Sequence, residues 1–128
     1  MAVYAMTSQG LTLARRIAGM APADVFATAR LAGGDVTGFA RIVDQVRVNL
    51  PLYHAHVFVA ATGIVVRAIA PLLQSKTKDP AVVVCDQNGE HVVSLLSGHL
   101  GGANDLARRI AAHIAGRPVI TTATDTAG

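Results

Sequence analysis

At 128 residues the chain has the length of one domain, since cores rarely divide below about 200 residues. Hydrophobic residues make up 52% and charged residues 15%, against a usual charged share of about 25%, which excludes a disordered or solvating chain. Aromatics at 4% with no Trp speak against a base-stacking platform, and a net charge of +3 with Lys and Arg scattered in ones and twos speaks against a duplex-binding face. An acidic small molecule is the partner such a surface favours.

Val3 to Met6 reads as a strand, followed by Thr7 or Ser8 as helix cap and a helix from about Gln9 to Met20, stopped by Gly19 and Pro22. Val25 to Thr28 is a short strand, and Gly33, Gly34, Asp35 and Gly38 form a loop before a second helix. Phe39, Ile42, Val43, Val46 and Leu50 lie on one face of that helix, which ends at Pro51.

Ala55 to Ala61 is apolar without alternation, as in a central strand covered on both faces. Gly63 turns the chain into a third helix with Val65, Ala68, Ile69, Leu72 and Leu73 inside, bent at Pro71. The stretch Val57 to Leu73 has the hydropathy of a membrane span. Arg67 near its centre would cost about 2.5 to 3.5 kcal/mol, however, so strand, turn and buried helix is the better reading. No signal peptide is apparent in MAVYAMTSQG.

Ala81 to Cys85 and Val92 to Leu96 are joined through Asn88-Gly89, a hairpin turn that makes this pair antiparallel. Cys85, the single cysteine, lies in an apolar run and reads as a buried, inert thiol of a reducing cytoplasm. A fourth helix runs from about Gly102 to Ala115 with Gly116 as its stop, and Val119 to Thr122 is the last strand. The sum is a three-layer α/β/α domain with a mostly parallel, mixed sheet of about six short strands and about four helices. The chain stops straight after a strand, as expected of a fragment or of a module completed by another domain.

In such sheets ligands bind beyond the carboxyl ends of the parallel strands. Four segments rich in Gly and hydroxyls are expected there: Thr7 to Gly10, Ala61 to Ile64 with Arg67, Ser97 to Asn104, and Thr121 to Asp125. Their helix starts would offer free amides to an anion. In Ser97 to Asn104, three glycines surround His99. That histidine either serves as a general base, titrating near 6.5, or is a hydrogen-bonded loop residue. The spacing matches neither phosphate fingerprint, so a nucleotide role is weak.

Arg67, near the start of its helix, should lean back toward the loop end of the sheet, where it could grip a carboxylate, face solvent or pair with Asp125. His54 and His56 could share one face of a strand, yet packing is favoured over metal binding because no carboxylate or Cys accompanies them. The candidate set is thus His99 as catalytic residue, with Thr7, Ser8, Thr62, Gly63, Arg67, Ser97, Gly98, Gly101, Gly102, Asn104, Thr122, Thr124 and Asp125 as substrate-binding residues and no metal site.

The runs Ala61 to Leu72, Asp79 to Val84, Ser94 to Asn104 and Val119 to Asp125, in this order and spacing, resemble the N-terminal domain of the CbiG family, the cobalt-precorrin 5A hydrolases of anaerobic cobalamin biosynthesis. Thr7 to Leu11 and Leu13 to Arg16 are similar to that family's first strand-helix unit. The resemblance covers nearly all of 1–128, which it makes a single domain without the family's middle and C-terminal regions.

It implies a cytoplasmic protein whose substrate is a cobalt-containing tetrapyrrole polycarboxylate. Water opens the ring A lactone, and the meso carbon with its methyl group leaves as acetaldehyde, giving cobalt-precorrin 5B. No cofactor is implied, because the cobalt belongs to the substrate. The implied partner is the family's C-terminal domain or a separate equivalent chain; nucleic acid and membrane are not implied. A competing reading is a non-catalytic tetrapyrrole-binding or assembly module of the same pathway.

Overall fold

The computed structural model describes residues 1–122. Seven strands form one sheet: β1 (Ala2–Ala5), β2 (Asp24–Thr28), β3 (Val36–Phe39), β4 (Ala55–Val59), β5 (Ala81–Cys85), β6 (His91–Leu96) and β7 (Arg117–Val119), in the spatial order β3-β2-β1-β4-β5-β6-β7. Strands β1 to β5 are mutually parallel, β6 is antiparallel to β5, and β7 is parallel to β6. Two of the seven therefore run against the other five. The expected mixed α/β sheet is present, with one strand more than the sequence suggested. That strand, β3, falls where a loop was expected. Its four residues, Val-Thr-Gly-Phe, bury only their first and last side chains, and Gly38 masks the pattern.

Among the described residues four α-helices cover the sheet: α1 (Ser8–Ala18), α2 (Ile42–Asn49), α3 (Thr62–Ile69) and α4 (Ala103–Ile114). Strand alternation sorts the core into two layers. Val3, Ala5, Val57, Val59 and Val83 face one way and pack on Leu13 and Ile17 of α1 and on Leu106 and Ile110 of α4. Tyr4, Phe26, Phe58, Val82 and Val84 face the other way, against Ile42 and Val46 of α2 and Val65 and Ile69 of α3. In that second layer the Tyr4 ring stacks on Phe58 at 4.3 Å and on Phe26 at 5.5 Å.

Local chemistry sets most of the boundaries. Thr7 is the N-cap of α1, its Oγ1 accepting the Gly10 amide at 3.0 Å. Pro51 and Pro71 do not bend their helices; each sits in a 3-10 turn, Leu50–Leu52 and Ala70–Leu72, that tightens the helix end, because proline fits the first turn of a new segment but not a helix interior. Helix α4 is ended by Ala115 in the left-handed conformation (φ 60°), not by Gly116. Gly116 is small for another reason: a Cβ there would lie 2.6 Å from the Gly89 carbonyl. Among the described residues no helix is long and apolar enough to cross a membrane.

Candidate functional site

The antiparallel turn at β6 decides where the candidate residues go. Register pairs Cys85 with Val92 and Val82 with Leu96, so β6 ends beside the start of β5. Strand β7, paired with β6 from His91–Arg117 to Val93–Val119, points the same way. Ser97 to Asn104 and Thr121 to Thr122 therefore lie at the amino edge of the parallel strands. Thr7, Ser8, Thr62, Gly63 and Arg67 follow β1 and β4 at the opposite, carboxyl edge. A five-residue strand separates the edges by about 15 Å. The expectation that all four segments meet at the carboxyl edge is corrected: the reversed hairpin divides them. Thr124 and Asp125 lie outside the described residues.

The carboxyl edge holds the crevice where strand order reverses, between β1 and β4. A cavity of about 360 Å³ opens there, lined by Met6, Thr7, Val59 to Ala61, Ile64, Asp86 and Gln87. Its polar groups are largely engaged with one another. Besides capping α1, the Thr7 hydroxyl donates to Gln87 Oε1 at 2.8 Å, and Gln9 Nε2 donates to Asn88 Oδ1 at 2.6 Å. Burial alone would raise the Asp86 carboxyl, but hydrogen bonds from the His91, Glu90 and Asn88 amides outweigh it and hold the group below its usual range. Ser8, Thr62, Gly63 and Arg67 are exposed. The Arg67 side chain does lean back along α3, with Nη1 3.1 Å from where a Gly63 Cβ would stand.

At the amino edge the glycine loop is a compact knot. The amides of Gly102, Ala103 and Asn104 donate to the carbonyls of His99, Ser97 and Gly98 at 3.2, 3.1 and 3.1 Å. The expected free amides at the start of α4 are thus turned inward; the Gly101 amide has no acceptor among the described residues. Ser97 takes a left-handed backbone (φ 58°), uncommon for a residue with a side chain and costing about 1 kcal/mol or more. Its hydroxyl donates to the Asp79 carbonyl at 2.9 Å, pinning the loop to the start of β5. A Cβ on Gly101 would lie 2.5 Å from that of Ser97, so the turn closes only around glycine.

Asn104 is 4% exposed and holds the knot from beneath. Its Oδ1 accepts from the Ser94 hydroxyl at 2.7 Å and its Nδ2 donates to the Thr122 hydroxyl at 2.9 Å. Asn104, expected to touch substrate, ties β6, the loop and the segment after β7 together. Thr122 belongs to the same anchor, whereas His99, Leu100 and Gly101 are exposed on the outer side of the loop.

Two nearby residues escaped sequence reasoning as parts of this edge, Lys78 and Asp79. They line a cavity of about 330 Å³ with His54, Leu100 and Gly101, and the only sequence cue was the turn-forming Asp79-Pro80 pair.

His54 and His56 part company. His54 precedes β4 and is exposed, while His56 is fully buried. Asn49 Nδ2 donates to the Tyr4 hydroxyl at 3.3 Å, which leaves that hydroxyl to donate to His56 Nδ1 at 2.8 Å. Burial pushes the His56 imidazole down to about 4, against a smaller raising effect of the Leu50 and Tyr53 carbonyls. A neutral, walled-in ring fits packing, and among the described residues no group of His, Cys, Asp and Glu could hold a metal ion. Cys85 is buried too, its thiol pushed up to about 12 by desolvation and then by Asp86, so it is inert at neutral pH.

Five parallel strands wound on both faces, extended by a reversed hairpin that carries a glycine-histidine loop, define a doubly wound α/β domain with polar loops at both edges. The family model described as cobalamin synthesis G N-terminal matches residues 44–125, and the chain belongs to that family. It is 46% identical over 125 residues to a protein named cobalt-precorrin-5A hydrolase from Salmonella typhimurium (strain LT2), covering 97% of this chain and 36% of that one. It is 42% identical to a protein of the same name from Priestia megaterium, covering 97% and 35%. A crystal structure solved as a cobalamin biosynthesis protein G homolog from Sulfolobus solfataricus superposes with a TM-score of 0.74 at 25% identity, over 98% of this chain and 38% of that one. The chain thus spans about a third of the length of the relatives it matches.

Proposed function

We propose that this chain is one part of a cobalt-precorrin-5A hydrolase, acting on the ring A lactone of a cobalt tetrapyrrole. The observation that carries the reading is the 46% identity to a relative of that name across 97% of the chain. The amino-edge loop, with His99 exposed beside a strained, tightly anchored turn, is the part of the fold best suited to the chemistry.

In this reading His99 removes a proton from water as the water oxygen adds to the lactone carbonyl. Collapse breaks the ring C–O bond as the imidazolium returns its proton to the leaving oxygen, which regenerates neutral His99 and leaves an alcohol and a carboxylic acid that ionises to solvent. His99 then takes the alcohol proton, the oxygen forms the carbonyl of acetaldehyde, and the electron pair of the broken C–C bond passes to the macrocycle. Developing oxyanion charge falls to the Gly101 amide and to donors of the remaining polypeptide; one such donor is typically worth about 3 to 4 kcal/mol of barrier. Arg67, some 15 Å away by strand length, takes no part at that carbonyl.

The test is acetaldehyde release from cobalt-precorrin-5A by the 128-residue chain together with a polypeptide supplying the other two thirds of a relative. Release that requires both and is lost in His99→Ala supports the reading. Undiminished release by His99→Ala refutes the role of the histidine. A second reading, a non-catalytic tetrapyrrole module, is favoured by the third-length coverage; it predicts corrinoid binding with no aldehyde under any combination.

A further inference from the structure

The apolar run Val57 to Leu73 is only half explained by the fold. Val57 to Val59 are buried in β4 between the two layers of the core. Helix α3 is different. The exposed positions of α1 are Ser8, Gln9, Thr12, Arg15 and Arg16, and those of α4 are polar but for Ala112. On α3 and the turn after it the exposed side carries Ile64, Val66, Ala70, Pro71 and Leu73, with Arg67 as its one charge. Ile64 is 39% exposed, Val66 44% and Leu73 36%. A helix apolar on its outer as well as its inner side is one that an assembled protein buries. This face also joins the two edges of the sheet. Ile64 lines the switch-point crevice, while Leu72, beside Leu73, lines a cavity with Asp79 and Pro80 at the amino edge.

We propose that the outer face of α3 is the docking surface for the polypeptide that makes up the other two thirds of the relatives, which covers Ile64, Val66 and Leu73 with apolar side chains and sets a carboxylate opposite Arg67. The inference rests on the reading of the chain as one part of a larger enzyme and adds which face meets the rest. This domain accounts for 36% and 38% of relatives that contain nearly all of it, so the larger part of each is other polypeptide that has to pack somewhere. A second copy fits this face less well. A twofold pairing of α3 with itself would bring two Arg67 guanidiniums to one apolar seam, and among the described residues Arg67 has no carboxylate within ion-pair distance to offset them. A membrane surface also fits less well, because helices that lie in the interface carry rows of cations on their polar side and α3 carries one. A body seated along α3 reaches Leu73 and the Asp79 end of the sheet, the edge where the glycine loop stands.

The experiment is hydroxyl-radical footprinting of the 128-residue chain, alone and mixed with a polypeptide supplying the other two thirds of a relative, read as oxidation of each side chain. Oxidation of Ile64, Val66 and Leu73 should fall about fivefold or more in the mixture, while Val48, 60% exposed on α2, keeps its rate. Val66→Asp, a change on the outer side of α3 that leaves its buried side intact, should weaken the association about tenfold or more, and Val48→Asp should leave it unchanged. Unaltered oxidation of Ile64 and Val66 in a formed complex overturns the surface, and so does a mixture that forms no complex. Protection that grows with concentration in the chain alone and is lost in Val66→Asp gives the face to a second copy; protection by vesicles of anionic phospholipid gives it to a membrane; either result also overturns the proposal. Acetaldehyde release keeps the hydrolase reading separate. A complex docked on α3 that releases none sinks that reading and leaves the surface, whereas release by a complex with α3 uncovered does the reverse.

Discussion

The two edges of the sheet are made of the same kinds of residue and behave differently. Each carries hydroxyls and glycines next to a helix start. At the carboxyl edge, Thr7, Gln9, Gln87 and Asn88 bond across the crevice to one another, and the charged residue lining it is an acid held ionised by backbone amides. At the amino edge, polar bonding runs beneath the loop through Asn104, and the outer side carries the exposed His99 and a Gly101 amide with no acceptor among the described residues. Composition marks both edges as binding loops; only the direction of the bonds distinguishes an internal brace from a surface that meets a ligand.

Five substitutions and one change of pH would break or sharpen this contrast, taken broadly from the largest effect down. Loss of a general base commonly costs about 10² to 10⁴ in rate, so His99→Ala should lower aldehyde release by about a hundredfold or more in the completed enzyme. Arg67→Ala should stay within about threefold, well short of that cost. Equal losses at both positions would erase the distinction.

Acid should attack the amino-edge half of the fold first, through His56. Its folded value of about 4 lies below the 6.5 of the unfolded chain, so between these values the unfolded state binds more protons. The stability tied to His56 is whole above about pH 6.5 and is lost as the pH falls toward 4, to a total of about 3 kcal/mol. Urea unfolding at pH 7 and pH 4 measures it, and His56→Gln should flatten that interval.

Asn104→Ala removes the side chain that bonds the Ser94 and Thr122 hydroxyls and should cost about 2 kcal/mol, seen as a lower Tm. It should reduce kcat more than it raises KM, since Asn104, 4% exposed, positions the loop from beneath. At the carboxyl edge, Thr7→Ala removes a helix cap and should cost about 1 kcal/mol with turnover unchanged.

Much of this fold is legible in the sequence because burial writes it there. The uninterrupted apolar runs of β4 and β5 match strands covered on both faces, Asn88-Gly89 marks the hairpin, and spacing marks α1 and α4. Strand β3 is not legible, being a four-residue edge strand with one glycine and two exposed positions. The site is half legible. His99 and its glycines are visible as a cluster, and the antiparallel β5–β6 pair is readable from its turn. The consequence of that pair is less visible: reversing β6 sends the chain that follows, as far as Thr122, to the other edge. Nor can sequence reveal that Asn104 points inward or that Lys78, distant in the chain, stands beside Leu100, since both follow from how α4 and the Thr77–Pro80 segment pack on the sheet.

The central claim is that the amino edge, not the switch-point crevice, receives the macrocycle. Amide chemical-shift mapping of the 15N-labelled 128-residue chain during titration with diamagnetic cobalt(III) cobyrinic acid tests it most directly. Shifts should concentrate at Thr77 to Asp79 and Ser97 to Gly102 while Thr7 to Gly10 and Ala61 to Ile64 stay in place. Shifts confined to those last two segments would contradict the account.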